Sequence, residues 1–433
     1  MKLELSNPLT LPCGVEIPNR LAKAAMTEGL AEPSGEPNRD LARLYGIWSD
    51  GGAGLLISGN ILIDGDHLER PGNVIIDKEP RPEMIAALRD WSSAATRNGN
   101  QFWAQISHAG RQTQKAVNPR PKAPSSVKLG LPGGQFGEPV AMTQADIDTV
   151  IEGFVRCARV VKRAGFTGVQ VHAAHGYLIS QFLSPRSNQR SDSYGGSLEN
   201  RASLLLEVVA QVRAEVGAEF PVAVKLNSAD FQKGGFAFED SIRVAKWLQQ
   251  AGVDLIEISG GTYEQPKLLG VEGIEAAEPQ NVAESSLMRE AYFVDFALAM
   301  QSEVSIPLMV TGGFRQRKVM QDALDGGAAD IIGLGRPMCV DTDAPNQLLS
   351  GIAELQRYEN TVQLLPNWAS FIQKVSLIRA VASFAIQYWY YAQLLSIART
   401  EQANRSLSVF SAVIILTKHE KSWLKQRRKY LSR

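Results

Sequence analysis

Four times along the chain a helical run ends in a glycine turn and feeds a short apolar strand that stops at small or polar residues. The stretches are SDGGAGLLISG (49–59), KRAGFTGVQVHA (162–173), QQAGVDLIEISG (249–260) and LDGGAADIIGLG (324–335). Glycine closes a helix in a left-handed cap, and an unbroken apolar run suits a strand covered on both faces. Helices alternating with such strands build βα units and a parallel sheet. The echo is one of supersecondary structure and not a solenoid repeat.

Filling the intervals gives eight candidate strands: Leu21–Ala25, Gly54–Ser58, Phe102–Ile106, Gly168–Val171, Val222–Leu226, Leu255–Ser259, Leu308–Val310 and Ile331–Leu334. Eight parallel strands with helices between them close an α/β fold of the (β/α)8 TIM-barrel type. A doubly wound open sheet is the alternative, but no GxGxxG follows any strand. Thr143 with Asp146 forms a capping-box pattern, and Ser197 with Asn200 and Arg201 opens a helix over Ala202–Val216. The barrel is expected to occupy residues 1–354, followed by a helical C-terminal extension over 355–433.

The 433 residues suit a large barrel with an appendage. Lys and Arg total 45 and Asp and Glu total 45, so no basic surplus points to nucleic acid. Cys13, Cys157 and Cys339 supply neither a disulfide framework nor the four thiolates of an iron–sulfur cluster. The start, MKLELSNPLTL, lacks the apolar run of a signal peptide, so a cytoplasmic location is expected.

Chemistry concentrates between Val169 and Arg201, VQVHAAHGYLISQFLSPRSNQRSDSYGGSLENR. A strand there releases His172, His175 and Tyr177 within six residues, and barrel enzymes place their chemistry at strand ends. Two imidazoles beside a phenol make a hydrogen-bonding and proton-donating set. Metal binding is the alternative for the histidine pair, but no Cys or Glu stands at an HExxH-like or CxxC-like spacing, and no metal is expected.

The other strand ends are also polar or glycine-rich: Ala25-Met26-Thr27, Gly59-Asn60, Gln105 with His108, Lys225, Thr311-Gly312-Gly313 and Gly335-Arg336. A barrel that served only packing needs no such bias. Gly312, Gly313, Gly335 and Arg336 follow strands seven and eight, where many barrels hold a phosphate on backbone N–H groups. Asn118–Pro139 and Tyr263–Glu284 are long irregular stretches, read as covers over one pocket.

The tail changes character. Leu377–Ala398 is apolar, aromatic and long enough to span a bilayer, and KHEKSWLKQRRKYLSR ends the chain. Membrane attachment is one reading. Packing on the barrel or a partner subunit is favoured, because Arg379, Ser383, Gln387 and Gln393 interrupt the run. A homo-oligomer stays open.

The His172–Arg201 stretch, with its HGYL, QFLSP, YGGS and ENR elements, resembles the signature of the Old Yellow Enzyme family of flavin-dependent ene-reductases. The resemblance extends from about Pro8 to Pro345 through NRLAKAAMTE, SHAGRQ and GLGRP. It implies FMN held noncovalently at the C-terminal face of the barrel, with NADH or NADPH as electron donor in the same pocket. On this likeness the backbone of Ala25 and Met26 lies along the flavin and Thr27 bonds a flavin carbonyl. Gln105 then takes the pyrimidine edge and Lys225 sits near N1, with Gly59 in the same cofactor-binding set. The resemblance implies reduction of an α,β-unsaturated carbonyl compound. His172 and His175 grip the oxygen, flavin N5 gives hydride to the β carbon, and Tyr177 protonates the α carbon. Thr27 stands where one branch carries Cys, and Lys225 where many relatives carry Arg. The competing expectations are an NADH oxidase using oxygen, and a non-catalytic barrel scaffold attached through its tail.

Overall fold

The computed structural model describes residues 3–131, 134–260, 294–358, 362 and 376–432. The expected Tyr263–Glu284 excursion therefore lies outside the described residues. Eight strands are β1 (Leu21–Lys23), β2 (Leu55–Leu62), β3 (Gln101–Ser107), β4 (Gly168–Ala173), β5 (Val222–Asn227), β6 (Leu255–Ser259), β7 (Leu308–Thr311) and β8 (Ile331–Leu334). Each pairs in parallel with the next, and β8 pairs with β1, so the sheet closes. The fold is a (β/α)8 TIM barrel.

The helices between strands include α1 (Arg39–Asp50), α2 (Pro82–Ala95), α3 (Gln144–Arg163), α4 (Leu198–Val216), α5 (Phe238–Gln250) and α6 (Arg317–Asp325). The Thr143–Asp146 capping box forms as the spacing predicts. Ser197 also caps its helix by accepting from the Asn200 N–H, so that helix begins at Leu198 and not at Ala202.

One apolar cluster gathers inward residues from the lower ends of the strands: Ala22, Leu55, Ile57, Trp103, Ala223, Leu255, Met309 and Ile331. An antiparallel ribbon, Leu9–Thr10 with Glu16–Ile17, contributes Leu9, Leu11 and Ile17 to the same cluster. The barrel is thus packed shut below, which leaves its polar C-terminal end for chemistry.

Strand β2 departs from the predicted Gly54–Ser58. It runs on to Leu62, and its register with β3 shifts between Ile57 and Asn60. Ile57 faces Trp103 and Asn60 faces Gln105, so three steps on β2 match two on β3. This is a β-bulge, which re-aims side chains where it occurs. The Ser58 hydroxyl accepts from the Gln105 N–H at 2.9 Å and pins it.

The tail forms a helical pair, α7 (Ser376–Thr400) and α8 (Val409–Leu431), in mutual contact. Helix α7 packs on α1 and on the Arg336–Cys339 turn after β8. Trp389, Leu394, Ile397 and Ala398 are buried, so this part of the apolar run is covered by protein. No helix among the described residues is long and apolar enough to cross a membrane. Helix α8 lies over the loop after β1. His419 Nε2 hydrogen-bonds the Gly29 carbonyl, Trp423 Nε1 donates to the Ala31 carbonyl, and Arg427 donates to the Pro33 carbonyl.

Candidate active site

The histidine–tyrosine set assembles at the upper end of β4. His172 and Tyr177 are buried, with ring centroids 4.8 Å apart and planes at 79°. His175 lies 5.2 Å from His172 in a left-handed backbone conformation, φ 60°. Such a backbone is uncommon outside glycine and holds only where surroundings enforce it. Here the His175 N–H donates to Asn227 Oδ1 at 3.0 Å, and its carbonyl accepts from Gln112 Nε2 at 2.9 Å. Its ring Nε2 meets the Ser259 hydroxyl at 2.6 Å. His172 Nδ1 accepts from the Ala174 N–H at 3.4 Å, which leaves Nε2–H as its donor.

Much of the signature after Tyr177 is scaffolding. Gln181 Nε2 donates to the carbonyls of Ala109 and Gly176, Asn188 Nδ2 to those of Phe182 and Tyr194, and Arg201 to Leu183, Gly196 and the Asp240 carboxylate. These bonds fix a loop that would otherwise bury unpaired backbone groups.

Beneath the set runs a polar ladder. Gln105 Nε2 donates to Gln170 Oε1 at 2.6 Å, and Gln170 Nε2 to Glu257 at 2.8 Å. Lys225 Nζ donates to Glu257 at 2.7 Å, and the two side chains are 4% and 0% exposed. The charge of Lys225, expected near flavin N1, is matched by a buried carboxylate. Gln170 and Glu257 were missed by strand-end reading. Their signal is a single polar residue inside GVQVHA and LIEIS, at an inward position of an otherwise apolar strand.

Thr27 and Gly59 also hold protein partners. The Thr27 hydroxyl donates to Glu69 Oε2 at 2.6 Å, so its proton is committed and its oxygen can only accept from a ligand. Gly59 lies within the bulge, and its N–H donates to Glu28 Oε1 at 2.9 Å. A Cβ there would sit 2.2 Å from Glu28 Oε2, so glycine makes room for Glu28 and offers no N–H to a cofactor. Glu28 in turn accepts from the Tyr45 hydroxyl, which accepts from the buried Lys23 ammonium at 2.9 Å.

The coenzyme positions fit better elsewhere. Gly312 (φ 152°) and Gly313 (φ 74°) open the turn after β7 with backbone that side chains rarely adopt. A Cβ on Gly335 would meet nothing nearer than Met26 Sδ at 4.0 Å, so the backbone there is open to close approach. Asn60 Oδ1, just past the bulge in β2, and Thr311 Oγ1, on the last residue of β7, are buried atoms without a hydrogen-bond partner in the structure. Buried polar atoms of this kind take a partner from water or from a ligand. Arg336 and the buried Arg315 both act on the Cys339 thiol, and so bring cationic charge to this turn. Arg315 was not singled out by the sequence. These residues suit a flavin phosphate and ring edge.

Asp64, His67 and His108 also converge, and three such groups invite a metal. Their hydrogen bonds argue otherwise. His67 Nε2 accepts from the Lys122 N–H at 2.8 Å and His108 Nδ1 from the Gly110 N–H at 3.0 Å. Each ring must then carry its proton on the nitrogen facing Asp64, where a metal would need a lone pair.

Burial holds His175 down to about 3 and His172 well below the usual imidazole range, in both cases aided by the Lys225 charge. Burial likewise lowers His108 to about 4. All three are neutral when folded, and below about pH 6.5 they gain protons once the chain unfolds. The stability they contribute is complete above about pH 6.5 and is lost as pH falls towards their folded values. One such imidazole contributes roughly 2 kcal/mol between pH 6.5 and 5. Thermal melts at pH 7.5 and 5 are expected to show a lower midpoint at pH 5. An equal or higher midpoint would contradict this assignment.

Comparison with known proteins identifies the family. The family described as NADH:flavin oxidoreductase / NADH oxidase matches residues 4–354. The NADH-dependent flavin oxidoreductase iliE of Hypocrea jecorina is 36% identical over 80% of this chain and 89% of its own length. The iliE protein of Neonectria sp. is 38% identical over 79% of this chain, but the match spans only 46% of that longer relative. Among solved structures, the old yellow enzyme homologue from Zymomonas mobilis superposes with a TM-score of 0.68 and 26% identity, covering 84% of this chain and 98% of its own. The chain therefore belongs to the NADH:flavin oxidoreductase / NADH oxidase family, the Old Yellow Enzyme family of FMN-dependent oxidoreductases that use NADH.

Proposed function

We propose that this chain reduces the activated C=C bond of α,β-unsaturated carbonyl compounds. The observation that carries the reading is the packing of His172, His175 and Tyr177 against one another at the polar mouth. FMN, when bound, supplies the carrier that passes a hydride from the nicotinamide to the substrate. Everything else falls to the protein.

His172 donates from Nε2–H. His175 donates from Nδ1–H in the tautomer whose Nε2 accepts from the Ser259 hydroxyl. Both rings are neutral, and two neutral N–H donors stabilise a developing enolate oxygen without transferring a proton to it. The proton comes instead from Tyr177, a weak acid that keeps its proton at neutral pH. In this reading residues 1–354 form the catalytic unit and 355–433 the extension, whose helix α7 packs on α1.

The test is spectroscopic. Purified protein loaded with FMN is expected to bleach with NADH in the absence of oxygen and to regain its yellow colour on adding 2-cyclohexenone. Colour that returns with oxygen but with no enone, enoate or nitroalkene would favour the oxidase reading.

A further inference from the structure

The C-terminal helices do more than cover an apolar face. Arg70, 6% exposed in the loop after β2, is held from both of them. Its Nη2 donates to Glu420 of α8 at 2.6 Å, and its guanidinium lies 3.9 Å from the ring centroid of Tyr391 of α7. Its Nη1 is buried without a hydrogen-bond partner. The preceding residue, Glu69, accepts from Thr27 Oγ1 at 2.6 Å and from Asn60 Nδ2 at 3.3 Å, and its charge acts on Arg70. A line of charge therefore runs from the tail through Arg70 and Glu69 to two residues at the mouth.

We propose that Arg70, clamped by Glu420 and Tyr391, is a positioning residue for the coenzyme pocket, and that the tail sets through it the charge and hydrogen bonding at Thr27. The proposal rests on the reading that Thr27 and Asn60 lie beside the flavin. The Arg70 cation offsets Glu69 and Glu420, two carboxylates that otherwise oppose added negative charge on a nearby ring. Removing one carboxylate favours an electron-rich ring, and removing the cation disfavours it. A purely structural clamp makes no such distinction of sign.

Glu420→Gln and Arg70→Met separate the two cases in the full-length, FMN-loaded protein. The readout is the ratio of reduced to oxidised flavin at a fixed potential set by a reference dye. Glu420→Gln is expected to raise the ratio by about threefold to tenfold and Arg70→Met to lower it by a similar factor. Arg427→Ala, which breaks a different tail contact, is expected to leave it within about twofold. Shifts in the same direction for the first two, or none, would overturn the proposal. Should Arg70→Met fail to fold, Glu420→Gln against Arg427→Ala decides it: a raised ratio supports the clamp, and an unchanged one removes it. Wild-type protein that does not quench FMN fluorescence on mixing would instead refute the pocket reading itself.

Discussion

Replacing Tyr177 by Phe is expected to slow reduction of 2-cyclohexenone by about 10²- to 10⁴-fold while leaving anaerobic bleaching by NADH within about twofold. The substitution keeps the ring and deletes one oxygen. Tyr177 is buried, and its ring packs edge-on against His172, so the phenylalanine ring fits without opening a cavity. What the proposed mechanism loses is the acid that delivers the proton. The nicotinamide half of the cycle needs no proton from the protein at that atom, so stopped-flow bleaching rates separate the two halves. Equal losses in both would show that Tyr177 shapes the pocket and donates nothing. Unchanged enone turnover would take it out of the mechanism.

A second large effect is expected on stability. Glu257→Leu leaves the Lys225 ammonium in the barrel interior without its carboxylate, and Gln170 without an acceptor. Breaking one side of a buried pair costs about 3–5 kcal/mol, because the surviving charge is desolvated and uncompensated. Urea melts should show that loss for the single variant. Lys225→Met combined with Glu257→Leu should recover most of it, since an apolar pair of similar size carries no orphaned charge. A double variant as unstable as the single one would mean that repacking, and not charge, governs the site.

How much of this was legible beforehand follows from the period of each signal. The barrel was readable because each glycine-to-strand junction repeats a local pattern, and the strands carry unbroken apolar runs. His172, His175 and Tyr177 sit within six residues of one strand end, so sequence order already brings them close. The ladder joining Gln105, Gln170, Glu257 and Lys225 was not readable, because each member comes from a different strand and closure of the sheet alone makes them neighbours. The same holds for Thr27 and Glu69, 42 residues apart, whose hydrogen bond redirects the threonine proton. Arg70 and Glu420 lie 350 residues apart, and no local rule pairs them.

The extra residue in β2 carries a consequence for what the mouth can present. A strand keeps a two-residue beat, so Ile57 and Ile61, four apart, should share one face. They do not: Ile57 belongs to the inner cluster and Ile61 to the outer one beneath the helices. The beat is reset once, at Ser58-Gly59. Flattening the bulge with all its residues kept would swing Ile61 inward and turn the Asn60 amide among aliphatic helix faces, whereas deleting Ser58 or Gly59 leaves two steps between Ile57 and Asn60 and keeps both faces as they are. A one-residue gap at this point between two relatives therefore removes the bulge and leaves the facing of the strand beyond it unchanged, whereas a gap elsewhere in β2 turns every later side chain over.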